Sequence, residues 1–268
     1  MISGVILALV TAAVTWIGGT VFAAAMTALA AVLYYEWARM TMLPTQAFSV
    51  LWGAGAIFLS GVALVFGAVD TALWLAVGSC ALLAVIVYFR IFKRTSLTRT
   101  KWVIGGVAYA LAAGASLIVI RGTDAATTFD DLEADPGLVL LAFLFLVVWA
   151  TDILAYFVGR SVGGPKLMPA VSPKKTISGA IGGLGGAVVI AVGFALAFED
   201  FGLAGTIVLA VVLSAVSQAG DLFESWIKRR YAVKDSSNLI PGHGGFMDRV
   251  DGLVFAAVPL ALYIAFTT

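Results

Sequence analysis

In SQAGDLFESWIKRR, Asp221, Glu224, Ser225 and Lys228 recur at i, i+3, i+4 and i+7, one stripe of a helix. The stripe runs from two carboxylates to a lysine, while Leu222, Phe223 and Trp226 fall on the opposite side for lipid or packing. Such a face can hold a cation or a phosphorylated ligand, or it can be a solvated helix end. Asp221 lies too far inside an apolar run for a solvated end to be comfortable. Upstream, VVWATDILAYFVGR places Asp152, Tyr156 and Arg160 at i, i+4 and i+8 on one face. Asp152 and Arg160 are then about 12 Å apart along the axis. The competing reading is an aspartate that only pairs with a neighbouring helix.

A third stretch, LIPGHGGFMDRVDG, holds the only histidine, His243. Pro241 and Gly242 break any helix, and Gly244 and Gly245 let backbone come close to a ligand where a Cβ would clash. Asp248 and Asp251 follow three apart at a helix start. Hard oxygen donors of this kind suit Mg²⁺, which keeps waters and bridges carboxylates to phosphate oxygens. The same aspartates could equally be helix-start carboxylates favoured by the macrodipole. A fourth stretch, GRSVGGPKLMPAVSPKKTISGAIGG, sets Lys174 and Lys175 before a helix that Thr176 or Ser178 can cap. Two lysines there oppose the macrodipole unless an anion is bound; topological charge bias alone is the alternative. The glycines from Gly179 to Gly186 form small-xxx-small pairs that suit close helix packing. No Ser–His–Asp arrangement is legible, and one histidine with one apolar-embedded cysteine, Cys80, argues against zinc or a disulfide framework.

The elements that position these residues are membrane helices. The 268 residues are 62% hydrophobic and 12% charged, with mean hydropathy +1.06. A soluble domain carries roughly twice that charge. About nine spans are expected, near 3–17, 19–37, 47–69, 71–92, 102–120, 137–158, 177–198, 203–227 and 250–267, giving an all-α polytopic fold. Fifteen of the sixteen basic residues fall in the connections after spans two, four, six and eight, and the opposite connections are acidic, from Asp70 to Asp200. The basic side is expected to be cytoplasmic, with both termini outside. The first apolar run lacks the basic start of a cleaved leader. A net charge of +1 implies no nucleic-acid surface. The chain reads as a single membrane domain, 1–136 without motifs and 137–268 with the polar chemistry.

Carboxylates and lysines gathered at one membrane face point to a membrane enzyme acting on a phosphorylated lipid, with catalysis by positioning and charge neutralisation. The run SWIKRRYAVKDSSNLIPGHGGFMDRVD then resembles the hallmark of the phosphatidate cytidylyltransferases, or CDP-diacylglycerol synthases. It matches at Ser225, Lys228, Arg229, Lys234, Asp235, Ser237, Pro241, His243, Gly244, Gly245, Asp248, Arg249 and Asp251. Asp152 through Arg160, and Ser172 through Thr176 with Gly179, also resemble the family. The resemblance covers about 137–268.

The resemblance implies that CTP and phosphatidate give CDP-diacylglycerol and pyrophosphate at a cytoplasm-facing site of the inner membrane, with Mg²⁺ required. A second cation and a homodimer are left open. It implies metal binding by Asp221 and Asp248, with Asp251 or Asp152 as further ligand or supporting partner. Lys174, Lys175, Lys228, Arg229, Lys234 and Arg249 would handle phosphates, and His243 a phosphate or the leaving pyrophosphate. Ser172, Ser225, Gly244 and Gly245 would contact substrate. The rivals are a CTP-dependent lipid-alcohol kinase, which releases CDP, and a transporter, which would spread its charges through both membrane halves.

Overall fold

The protein is described here by a computed structural model, which covers residues 2–43, 48–66, 69–88, 97–122, 135–198, 201–240, 242 and 244–267. Among the described residues there are nine helices: α1 (Ile2–Ile17), α2 (Gly19–Met40), α3 (Phe48–Val65), α4 (Val69–Tyr88), α5 (Leu97–Arg121), α6 (Pro136–Ser161), α7 (Ile177–Ala197), α8 (Leu203–Arg230) and α9 (Met247–Thr267). Between α6 and α7 lie two short strands, β1 (Lys166–Met168) and β2 (Ser172–Thr176). The fold is that of an all-α polytopic membrane protein. Six of the helices, α2 and α5 to α9, are long and apolar enough to cross a bilayer, and shorter apolar helical stretches lie at 8–17 and 50–65.

The chain forms two compact units, residues 1–118 with 231–249, and 119–230 with 250–268. In the first, α2 packs on α3 and α3 on α4. Trp37 stacks on Tyr109 with centroids 5.5 Å apart, and its indole N–H donates to the Trp102 carbonyl at 2.8 Å. Trp102 in turn meets Tyr231 edge-on at 5.2 Å. The cytoplasmic ends expected for α2, α5 and the segment after α8 therefore share one side of this unit.

In the second unit α6 packs against α7 and α8. The α6–α7 approach is set by glycine. A Cβ on Gly179 would lie 2.7 Å from the Ala155 carbonyl oxygen, and one on Gly186 would lie 2.8 Å from that of Ala150. The small-xxx-small reading of this stretch therefore holds. Between α6 and α8, the buried Thr151 hydroxyl donates back to Val147 O at 2.7 Å and lies 2.8 Å from Ser214 Oγ. Asp135 caps α6 by accepting from Leu138 N at 3.1 Å, with Pro136 in the first turn. Its carboxylate also pairs with Arg121 at 2.7 Å, so that basic residue finds its partner on the acidic side.

The connection 162–176 holds a hairpin that the sequence reading did not include. β1 and β2 pair antiparallel, Lys166 with Thr176 and Met168 with Ser172. Lys174 and Lys175 thus sit on a strand that runs directly into the start of α7, as their place before the helix suggested. Thr176 at the strand end accepts from Gly179 N at 3.1 Å and caps α7. The basic Arg90, Lys93 and Arg94 and the acidic Asp124, Asp130, Asp131, Glu133, Glu199 and Asp200 lie outside the described residues, as do Pro241 and His243.

Candidate active site

In the second unit a cavity of about 590 Å³ is lined by Asp152, Tyr156 and Arg160 of α6, Lys174 and Lys175 of β2, and Gln218 and Asp221 of α8. The i, i+4, i+8 face of α6 therefore does open onto one space. Arg160 Nη1 donates to the Tyr156 hydroxyl at 2.8 Å, which holds the guanidinium against the helix. Lys175 pairs with Asp221 of α8, and Lys174, on the same cavity wall, is exposed. Ser225 Oγ lies 3.4 Å from the other Asp221 oxygen. Gln218 Nε2 donates to the Ala180 carbonyl at 3.3 Å and ties α8 to α7 beside the cavity.

The stripe on α8 divides in the structure. Asp221 serves the cavity, while Glu224 is 1% exposed and pairs with Lys228 at 3.0 Å, one turn along. A buried carboxylate needs such a partner, because desolvation of a lone charge is costly. Arg229 is exposed and its Nε donates to the Val171 carbonyl at 3.3 Å, tying the end of α8 to the hairpin.

The metal reading rests on the chemistry of the donors. Asp152 and Asp221 line one cavity, and Lys175 pairs with Asp221. Asp251, which accepts from Gly252 N at 2.8 Å, is within electrostatic reach of Asp221, Asp152 and Lys228. Among the described residues, no three of His, Cys, Asp and Glu converge as a closed metal cage. Mg²⁺ does not require one, since it keeps waters and takes one or two carboxylates with substrate phosphates. Two carboxylates lining one cavity beside two lysines fit that mode.

In the first unit the polar loop 231–246 folds over Glu36 of α2. Glu36 is fully buried and accepts four hydrogen bonds: Ser237 Oγ at 2.5 Å, Met247 N at 2.7 Å, Phe246 N at 2.9 Å and Ser236 Oγ at 3.1 Å. Two of the donors are amides of the first turn of α9 and its approach, where a negative charge is favoured. Asp248 Oδ2 accepts from Ser236 N and Gly245 N, each at 2.9 Å, and lies 2.9 Å from Ser236 Oγ, whose one proton goes either to it or to Glu36. Gly244 has φ +79°, and a Cβ there would lie 2.8 Å from Asp248 Oδ2. A Cβ on Gly245 would lie 2.5 Å from Glu36 Oε1. The glycines thus permit close approach, and the groups approached are the protein's own side chains, Asp248, Ser236 and Glu36.

With these two polar centres described, similarity to known proteins decides the family. A sequence model of the cytidylyltransferase family matches residues 1–267. The chain belongs to the cytidylyltransferase family. It is 41% identical over 265 residues to a phosphatidate cytidylyltransferase of Brucella abortus, covering 98% of this chain and 91% of the relative. A phosphatidate cytidylyltransferase of Haemophilus influenzae is 50% identical over 136 residues, 48% of this chain and 46% of that one. One of Staphylococcus haemolyticus is 47% identical over 121 residues, 44% of this chain and 46% of that one. Membership makes the chain a nucleotidyltransferase, and the similarity reaches α1 to α5, where sequence reading found no usable motif.

Within this cytidylyltransferase, the second unit brings together Asp152, Asp221, Lys174 and Lys175, with Ser225 against Asp221, Asp251 nearby and Ser172 half-buried at the start of β2. Lys228 faces Glu224. The first unit holds Gly244, Gly245 and Asp248 together, with Lys234 and Arg249 exposed. Glu36 was missed. The signal was present: a carboxylate in LYYEWARM, inside an apolar span, is itself grounds for suspicion.

Proposed function

We propose that this cytidylyltransferase joins CTP to phosphatidate, releasing pyrophosphate and forming CDP-diacylglycerol. The relatives' printed activity supports the reaction, and the cavity where Asp221 meets Lys175 beside Asp152, Lys174 and Arg160 is the observation that carries it. A phosphate oxygen of phosphatidate attacks the α-phosphorus of CTP. The bond between that phosphorus and the bridging β-phosphate oxygen breaks, and pyrophosphate leaves with its electron pair. The phosphomonoester is already anionic, with a second pKa near 6, so no strong base is needed.

The chain's task is to neutralise and orient anions. Lys174 and Arg160 offer cationic groups to phosphates in the cavity, and Lys175 is held in place by Asp221. Asp221, with Asp251 or Asp152, would hold Mg²⁺, which when bound lowers repulsion between the two phosphate-bearing substrates. Asp248 is kept as a proposed further ligand, and Lys228, Arg229, Lys234, His243 and Arg249 as proposed phosphate contacts. Basic connections facing the cytoplasm support delivery of CTP from that side and of lipid from the cytoplasmic membrane.

Purified protein in nanodiscs, given CTP, phosphatidate and Mg²⁺, should release pyrophosphate and CDP-diacylglycerol in equal amounts, and EDTA should stop both. CDP without pyrophosphate would establish the kinase reaction instead. Absence of turnover across phosphatidates and divalent metals would overturn the reading. Native mass spectrometry of the same sample reads whether the working species is a homodimer.

A further inference from the structure

The carboxylate of Glu36 has no role in the reaction above, yet it is fully buried and accepts four hydrogen bonds. Its donors come from both ends of one segment, Ser236 and Ser237 before the glycines and Phe246 and Met247 after them. One carboxylate on α2 therefore closes the base of the glycine loop. Among the described residues of the segment, Ile240 and Gly244 pair in a backbone bridge.

Ser236 extends the arrangement. Its hydroxyl lies 3.1 Å from Glu36 Oε2 and 2.9 Å from Asp248 Oδ2, and its backbone N–H donates to the same Asp248 oxygen. A serine hydroxyl carries one proton, so it can donate to one of the two carboxylates at a time. The position of Asp248 is then tied to that of Glu36 through a single residue. Gly245 makes this possible, because any side chain there would collide with Ser236 Oγ and Glu36.

We infer that Glu36 is a positioning residue of the cytidylyltransferase, acting through Ser236 and the glycine loop on Asp248, without itself touching substrate. The inference rests on the proposed reaction for its kinetic readout, and on the geometry alone for its structural one. Displacement of a reacting group by about 1 Å through a distant change can cost on the order of 100-fold in rate.

The test compares Glu36→Gln, Glu36→Asp and Ser236→Ala with the full-length wild type in nanodiscs, by hydrogen exchange and by steady-state kinetics. Glu36→Gln should speed amide exchange across 236–247 by about tenfold or more, leave α6 to α8 unchanged, and lower kcat by about 100-fold with KM for CTP within about threefold. Glu36→Asp, which keeps the charge, should recover part of kcat. Ser236→Ala should lower kcat with Glu36 still in place, and it carries both measurements if Glu36→Gln does not fold. Unchanged exchange in 236–247 would overturn the inference. So would faster exchange with kcat near wild type, or faster exchange throughout the protein. If the wild type forms no CDP-diacylglycerol, the proposed reaction fails, while the exchange data still decide whether Glu36 holds the loop.

Discussion

Lys175 on β2 and Asp221 on α8 form an ion pair between residues 46 apart in sequence, and each side chain stays about a third exposed, 29% and 31%. The pair is therefore within reach of a ligand entering the cavity. Asp221→Asn and Lys175→Met should each lower kcat by about 100-fold or more. If the two act as a unit, the double variant should be little worse than the poorer single one. Losses that multiply would show that the two side chains act independently.

Asp248→Asn should abolish turnover and leave the folded protein intact in detergent. The amide oxygen can still accept from Ser236 and Gly245, so the expected stability loss is only about 1–3 kcal/mol, from weakened charge-assisted bonds. Product assay and thermal unfolding of the same sample check this. Activity within a few-fold of wild type would remove Asp248 from the proposed metal site.

The glycines of α7 divide into those that meet α6 and those that do not. Gly179→Ala forces a methyl toward the Ala155 carbonyl and should cost about 1–3 kcal/mol. Gly185 has nothing within 4 Å of an added Cβ, and Gly185→Ala should be neutral or stabilising by up to about 1 kcal/mol. Apparent melting temperatures in one detergent compare the two. Equal shifts would contradict the close α6–α7 approach.

Thr176 both ends β2 and caps α7, and it directly follows Lys175. Thr176→Ala should destabilise by about 1 kcal/mol through loss of the cap. Thr176→Ser keeps the accepting oxygen and should retain stability and turnover. A melting curve unchanged by the alanine would mean the cap contributes nothing.

Orientation is tested in a variant with Cys80 replaced by alanine. A single cysteine near Asp130, outside the described residues, should react with an impermeant reagent from the outer side. Reaction only from the cytoplasmic side would reverse the assigned topology.

Much of this architecture could be read from sequence because bilayer-crossing helices announce themselves as long apolar runs. The expected span 203–227 became α8 at Leu203–Arg230, and 177–198 became α7 at Ile177–Ala197. Side-chain spacing also placed Asp152, Tyr156 and Arg160 on one cavity face. What could not be read was pairing over distance. Helical periodicity groups Asp221 with Glu224, and it does not say that one meets Lys175 while the other is buried with Lys228. The hairpin escaped notice because strands of 3 and 5 residues rich in lysine and proline show no apolar alternation. Glu36 was hidden by separation, since the donors that satisfy it lie some 200 residues downstream.

That separation has a consequence for how the protein is made. A ribosome adding about 5–20 residues per second leaves roughly 10–40 s between synthesis of α2 and arrival of the loop that satisfies Glu36. Through that interval α2 carries a carboxylate whose four eventual donors do not yet exist, three residues before Arg39. Water or a lipid headgroup must serve it in the meantime. The helices inserted first therefore complete their packing last, and a chain cut short before Ser236 is left with a charge that no later residue can claim.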